Sequence, residues 1–181
     1  MVDRRVAVRP GERTDAFRAI SVAERTLAAE RRQWIGLAIV ALVTVAADQI
    51  TKHVVASSIA LDHAVELIGP FSVRHVQNSG IAFGLFSNAT VVVIVVTTIA
   101  LAWMLVFFAR SGARHPALPV ALGLLIGGSV SNLVDRVRLG YVTDFLDLRW
   151  WPAFNLADAS IVVGVAVLLG SLLLTDSSRH S

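Results

Sequence analysis

No cysteine occurs in the 181 residues. That absence excludes a disulfide framework, a zinc–thiolate or iron–sulfur site and a cysteine nucleophile. Charge is scarce as well: Asp, Glu, Lys and Arg make up 16% of the chain, against about 25% in an average soluble domain. Hydrophobic residues reach 55% and mean hydropathy is +0.69. A water-soluble fold of this length cannot bury that much apolar surface. Disorder throughout is excluded by the long apolar runs. The histidines show no metal-ligand spacing and no GxSxG elbow is present, so neither a metal centre, nor a cofactor site, nor a serine nucleophile is expected.

The charge that is present is uneven. Residues 1–33 hold eight arginines against five acids, which is the whole of the formal +3, while the rest of the chain balances eight bases with eight acids. This segment has no nucleic-acid-binding motif and no aromatic interleaving, so no nucleic-acid partner is expected. It reads as a disordered, Arg-rich cytoplasmic tail beside anionic lipid. It does not read as a cleaved signal peptide, because the apolar stretch begins late and runs long.

Four apolar segments, at about 34–56, 89–109, 117–134 and 154–175, match the roughly 20 residues that cross a bilayer. The expected fold is a mainly α, polytopic membrane protein with four transmembrane helices. The Arg-rich tail, Arg110 with Arg114, and Arg179 then share the cytoplasmic side, so both termini, including a short tail over 176–181, lie inside. Residues 57–88 and 135–153 face outward. Arg136, Arg138 and Arg149 break the bias, beside Asp135, Asp144 and Asp147. Partial alternation and a Gly-Pro turn in 65–76, and an aromatic stretch over 141–151, predict a small sheet on the outer surface, with Trp150 and Trp151 suited to the interfacial belt.

An ionisable residue near a span is costly and points to function. Asp48 and Lys52 are spaced i,i+4 and can pair; an ion pair clamping a helix end accounts for Asp48 as well as a chemical role does. Asp158 follows Asn155 by three residues at the start of the last span, where a helix cap explains both. Asp144, just past the third span, adds a second carboxylate at the same outer face. Two close carboxyls cannot both ionise easily, so one keeps a proton. The ionised one can take a proton from water while the protonated one polarises a carbonyl, which hydrolyses a peptide without a covalent intermediate. A proton-coupled transporter is the competing reading, but a relay needs acids spread through the bilayer depth, and the second span has none.

The segments Asp48-Gln49-Ile50-Thr51-Lys52, Asn78-Ser79-Gly80-Ile81-Ala82-Phe83-Gly84, Gly127 to Arg136, Gly140-Tyr141-Val142-Thr143-Asp144-Phe145 and Phe154-Asn155-Leu156-Ala157-Asp158 resemble, in order, the signature blocks of lipoprotein signal peptidase (signal peptidase II). The resemblance covers about residues 34–175. It implies an aspartic intramembrane peptidase of the bacterial inner membrane with a small extracytoplasmic β-cradle. Such an enzyme cuts diacylglyceryl-modified prolipoproteins before the lipidated cysteine, at the extracytoplasmic face among membrane lipid, and is inhibited by the cyclic peptide globomycin. A monomer is expected. By the same resemblance Asp144 and Asp158 are the catalytic dyad. Asn78, Gly80, Asn132, Arg136 and Asn155 match positions that line the site, while Asp48, Lys52 and Asp135 support it. Asp135 competes with Asp144 for the first role, and is assigned to structure as the partner of a neighbouring arginine such as Arg136. Ser131 stands where glycine is usual, and Ile81 where alanine is usual.

Overall fold

In the computed structural model, residues 29–79, 90–111 and 116–177 are described; residues 1–28 of the expected tail over 1–33, Gly80, and residues 178–181 of the expected tail over 176–181 lie outside them. Four helices and four short strands follow in the order α1 (Arg31–Ser58), β1 (Ala64–Glu66), β2 (Phe71–Asn78), α2 (Thr90–Ser111), α3 (Leu118–Leu139), β3 (Val142–Leu148), β4 (Trp151–Phe154) and α4 (Leu156–Ser177). Helices α1, α2 and α3 are long and apolar enough to cross a membrane, and α4 adds a shorter apolar stretch over Leu156–Ser171. The chain is thus a mainly α membrane protein with a small sheet, as its composition requires.

The helix boundaries differ from the apolar pattern, and three of the differences have a local reason. Helix α1 begins at Arg31 rather than Trp34, because the Glu30 backbone N–H donates to Gln33 Oε1 at 2.9 Å and closes the first turn. Helix α3 continues past Val134 to Leu139, so Asp135, Arg136 and Arg138 are helical and not part of an outer loop. It stops only at Gly140, whose φ of +83° and N–H bond to the Arg136 carbonyl at 3.1 Å form a left-handed C-cap. Phe154 belongs to β4, and α4 starts two residues later.

Helix α3 is the central element, packed between α1 and α4. A Cβ on Gly123 would lie 2.7 Å from Val40 Cβ, and one on Gly127 2.8 Å from the Ala41 carbonyl. These glycines, four residues apart, form a small-residue face that lets α1 approach. Gly128, on another flank, meets the Ala157 carbonyl of α4. Leu37, Leu101, Phe108, Leu118, Leu122 and Ile126 form the buried apolar core, with Trp34 edge-on to Phe108 at 4.9 Å. Other apolar side chains point outward, including Leu42, Ile50, Val91, Val96 and Ile99, as a helix face in contact with lipid requires.

The strands pair antiparallel in the order β1-β2-β3-β4. Strands β2 and β3 meet although two helices separate them in sequence, and this pairing brings Asn78 opposite Val142 and Val76 opposite Asp144. The register slips between Val73 and Val76. At that irregularity His75 is buried, with Nδ1 2.9 Å from the Ile59 carbonyl at the end of α1. Trp150, just before β4, and Trp151, its first residue, are exposed.

Candidate active site

Asp158 owes its place to the start of α4. The Asp158 N–H donates to Asn155 Oδ1 at 2.9 Å, and the Asn155 N–H donates back to Asp158 Oδ2 at 3.3 Å. This reciprocal cap satisfies two polar groups and sets a carboxylate at the positive end of the helix. The cap expected from the three-residue spacing is therefore present, and it leaves Asp158 Oδ1 free for another donor. That donor is Asn132 of α3, whose Nδ2 lies 2.8 Å away.

Asp144 arrives from the sheet. Its Oδ2 accepts from Asn78 Nδ2 at 2.9 Å, and its Oδ1 accepts from Asn155 Nδ2 at 2.7 Å. Asn155 is fully buried and donates its second N–H to Asn132 Oδ1 at 3.1 Å. Asn132 and Asn155 thus join Asp144 and Asp158 into one cluster, although the two acids come from a strand and a helix. Asp144 is buried, 2% exposed. Burial pushes its carboxyl up to about 6, Asp158 nearby adds to the rise, and the bonds from Asn78 and Asn155 oppose it. Asp158, Asn78 and Arg136 are only partly buried, so the cluster is open on the side where they lie.

Lys52 anchors a second layer beneath. Lys52 is 4% exposed, and its ammonium meets three oxygens: Asp48 Oδ2 at 2.7 Å, Asp135 Oδ2 at 2.8 Å and Asn132 Oδ1 at 2.8 Å. The i,i+4 pairing of Asp48 with Lys52 is therefore formed. Asp48 does more than close its own helix, because its Oδ1 accepts the Ala157 N–H of α4 at 2.9 Å, one of the N–H groups a helix start leaves unpaired. The cation beside Asp135 is Lys52 on α1, where an arginine such as Arg136 was expected. The reason is the length of α3: a helical Asp135 points inward to α1. Arg136 lies in the field of Asp158, Asp144 and Asp135 together, and its Nη1 donates to the Asn132 carbonyl at 3.4 Å.

Two side chains escaped the sequence reasoning. Gln49 Nε2 donates to Asp135 Oδ1 at 2.8 Å and to Ser131 Oγ at 3.0 Å. Ser131 in turn donates to Asp48 Oδ2 at 2.7 Å. The serine that replaces the usual glycine is thus a working member of the polar network. Its only sequence signal was position, one residue before Asn132 and one helical turn after Gly127.

Chemically, the cluster is a pair of carboxyls held by amide donors, with an open side and a fixed cation one layer away. Residues 40–174 match the family model for signal peptidase (SPase) II. The chain is 41% identical over 143 residues to the lipoprotein signal peptidase of Symbiobacterium thermophilum, covering 76% of this chain and 94% of that one. It is 42% identical over 137 residues to that of Moorella thermoacetica, covering 75% and 91%. Among solved structures, a bacterial membrane enzyme determined in meso at 2.3 Å resolution superposes with a TM-score of 0.73 at 30% identity, covering 79% of this chain and 90% of its own. The chain is a membrane peptidase and belongs to the signal peptidase II family.

Proposed function

We propose that this peptidase removes signal peptides from diacylglyceryl-modified prolipoproteins, cutting before the lipidated cysteine, with Asp144 and Asp158 as its catalytic dyad. The observation that carries the reading is the amide bridge: Asn132 and Asn155 tie Asp158 and Asp144 into one cluster while the cluster stays open through Asp158. In the proposed cycle the pair holds one proton. The ionised carboxylate takes a proton from a water molecule as that water attacks the scissile carbonyl carbon, and the protonated carboxyl donates to the carbonyl oxygen. As the gem-diol collapses and the C–N bond breaks, one hydroxyl returns its proton to the carboxylate that had donated to the carbonyl oxygen, and the proton taken from water passes to the leaving amine. The dyad is then back to one proton.

Asn78 and Arg136 lie at the open side, where a cation and an amide suit the polar ester and backbone region of the substrate. Globomycin, a cyclic peptide, would bind at the same open side. We assign the peptidase domain to residues 34–175, and place both termini in the cytoplasm and the dyad at the extracytoplasmic face of the bacterial inner membrane. The arginine distribution supports this orientation, and it puts the dyad where an exported precursor presents its cleavage site. Two acyl chains on the adjacent cysteine would hold the scissile bond at that depth, each buried CH₂ contributing about 0.8 kcal/mol. Cleavage rates of lipidated and unlipidated precursor in one detergent test the substrate assignment. The lipidated form is expected to be cut at least about tenfold faster; equal rates would mean that the lipid is not recognised.

A further inference from the structure

Asn132 has two faces that a side-chain amide can exchange by a half-turn, and only one serves the dyad. With Nδ2 toward Asp158 it donates to Oδ1 at 2.8 Å. Turned over, it would set a carbonyl oxygen against a carboxylate. A lysine ammonium is donor-only, with three N–H groups and no acceptor. Lys52 places one of these 2.8 Å from Asn132 Oδ1, and its other two neighbours are the carboxylates of Asp48 and Asp135. Asn155 is oriented in the same manner by a different fixed donor, the Asp158 backbone N–H on Asn155 Oδ1, so its Nδ2 must point to Asp144 and Asn132. Each acid of the dyad is therefore met by an amide whose sense is fixed from behind by a group that can only donate.

We infer that Lys52 is a positioning residue for the peptidase reaction, acting through Asn132 to fix the amide that orients Asp158. The inference rests on the dyad reading above. It differs from the alternative in which Lys52 only balances the buried charges of Asp48 and Asp135, a role that would leave the reaction untouched once charge is balanced otherwise.

The full chain in detergent, with a lipidated prolipoprotein as substrate, separates the two roles. Lys52→Met combined with Asp135→Asn removes one positive and one negative charge together, so the layer keeps its net charge. The pair is expected to lower kcat about 10- to 100-fold, the scale of a misplaced catalytic group, with KM within about twofold. Adding Asn132→Ala to that pair should lower kcat no further than Asn132→Ala does alone, because both changes remove the same positioned bond. Lys52→Arg keeps the cation but offers a longer, planar fork, and the same fall in kcat is expected without loss of thermal stability. This variant answers the question if the pair does not fold. Multiplied losses in the combined variant, or wild-type kcat in a folded Lys52→Arg, would overturn the inference. Asp158→Asn run alongside keeps the two claims apart: activity there would sink the dyad itself, whereas multiplied losses with an inactive Asp158→Asn sink only the role of Lys52.

Discussion

Asp144 carries its proton more tightly in the folded protein than in the unfolded chain, since burial raises its carboxyl from 3.8 to about 6. Its contribution to stability is therefore complete below about pH 4 and is lost as pH rises through about 6. Asp144→Asn removes this titration while keeping a hydrogen-bonding side chain of the same size. The variant is expected to gain thermal stability over wild type between pH 4 and 6, reaching a plateau of about 1–3 kcal/mol at neutral pH, because each tenfold change in proton affinity is worth roughly 1.4 kcal/mol. Melting curves in detergent from pH 4 to 8 check this; a stability difference that does not change with pH would contradict the environment described for Asp144. At this scale much was legible. Asp48 with Lys52, and Asn155 with Asp158, are local pairs whose spacing already implies contact. The partner of Asp135 was not, because Lys52 and Asp135 lie on different helices and only the packing of α1 on α3 decides their meeting.

Helices α1 and α3 approach through Gly123 and Gly127, and that contact carries Asp48, Gln49 and Lys52 to Ser131, Asn132 and Asp135. Gly123→Leu should force the helices apart, since even its Cβ would sit 2.7 Å from Val40, and overpacking of this kind destabilises by about 1–3 kcal/mol. Gly170→Leu is the control, because no atom lies within 4 Å of the Cβ that would be added there. A lower melting temperature in detergent is expected for the first variant and none for the second; equal melting would deny the close approach. The existence of the helices was readable from apolar length, but their ends were not. Apolar length reports where lipid contact stops, whereas α3 stops at a glycine cap six residues beyond Val134, with polar residues on its buried side. The sheet was readable as alternation in two separate segments. The β2–β3 pairing that brings Asn78 to Asp144 was not, because it joins segments separated by two helices.

Across the whole molecule, the two polar layers gather at one end of the helix bundle, and the basic excess sits in residues 1–33, outside the family match. The family match begins at residue 40, and every residue of the two polar layers lies between Asp48 and Asp158. Deleting residues 1–28 is accordingly expected to leave kcat/KM for lipidated precursor within about threefold of wild type, while reducing the fraction inserted with the N-terminus inside, as arginine near a first span helps set orientation. Protease protection and cleavage assays on the same membranes measure both; an inactive but correctly inserted truncation would show that the segment takes part in the reaction.

In the proposed mechanism Asp144 and Asp158 together move the proton that hydrolysis needs. Its most direct measurement is the turnover of a lipidated prolipoprotein by purified Asp144→Asn and Asp158→Asn, each compared with wild type at matched folded concentration. An amide can neither accept the proton of water nor donate an acidic one, so both variants should fall by at least about 1,000-fold with melting behaviour showing an intact fold. Turnover within about tenfold of wild type by either folded variant would contradict the account, and a dead but folded Asp135→Asn beside an active Asp144→Asn would move the first role to Asp135.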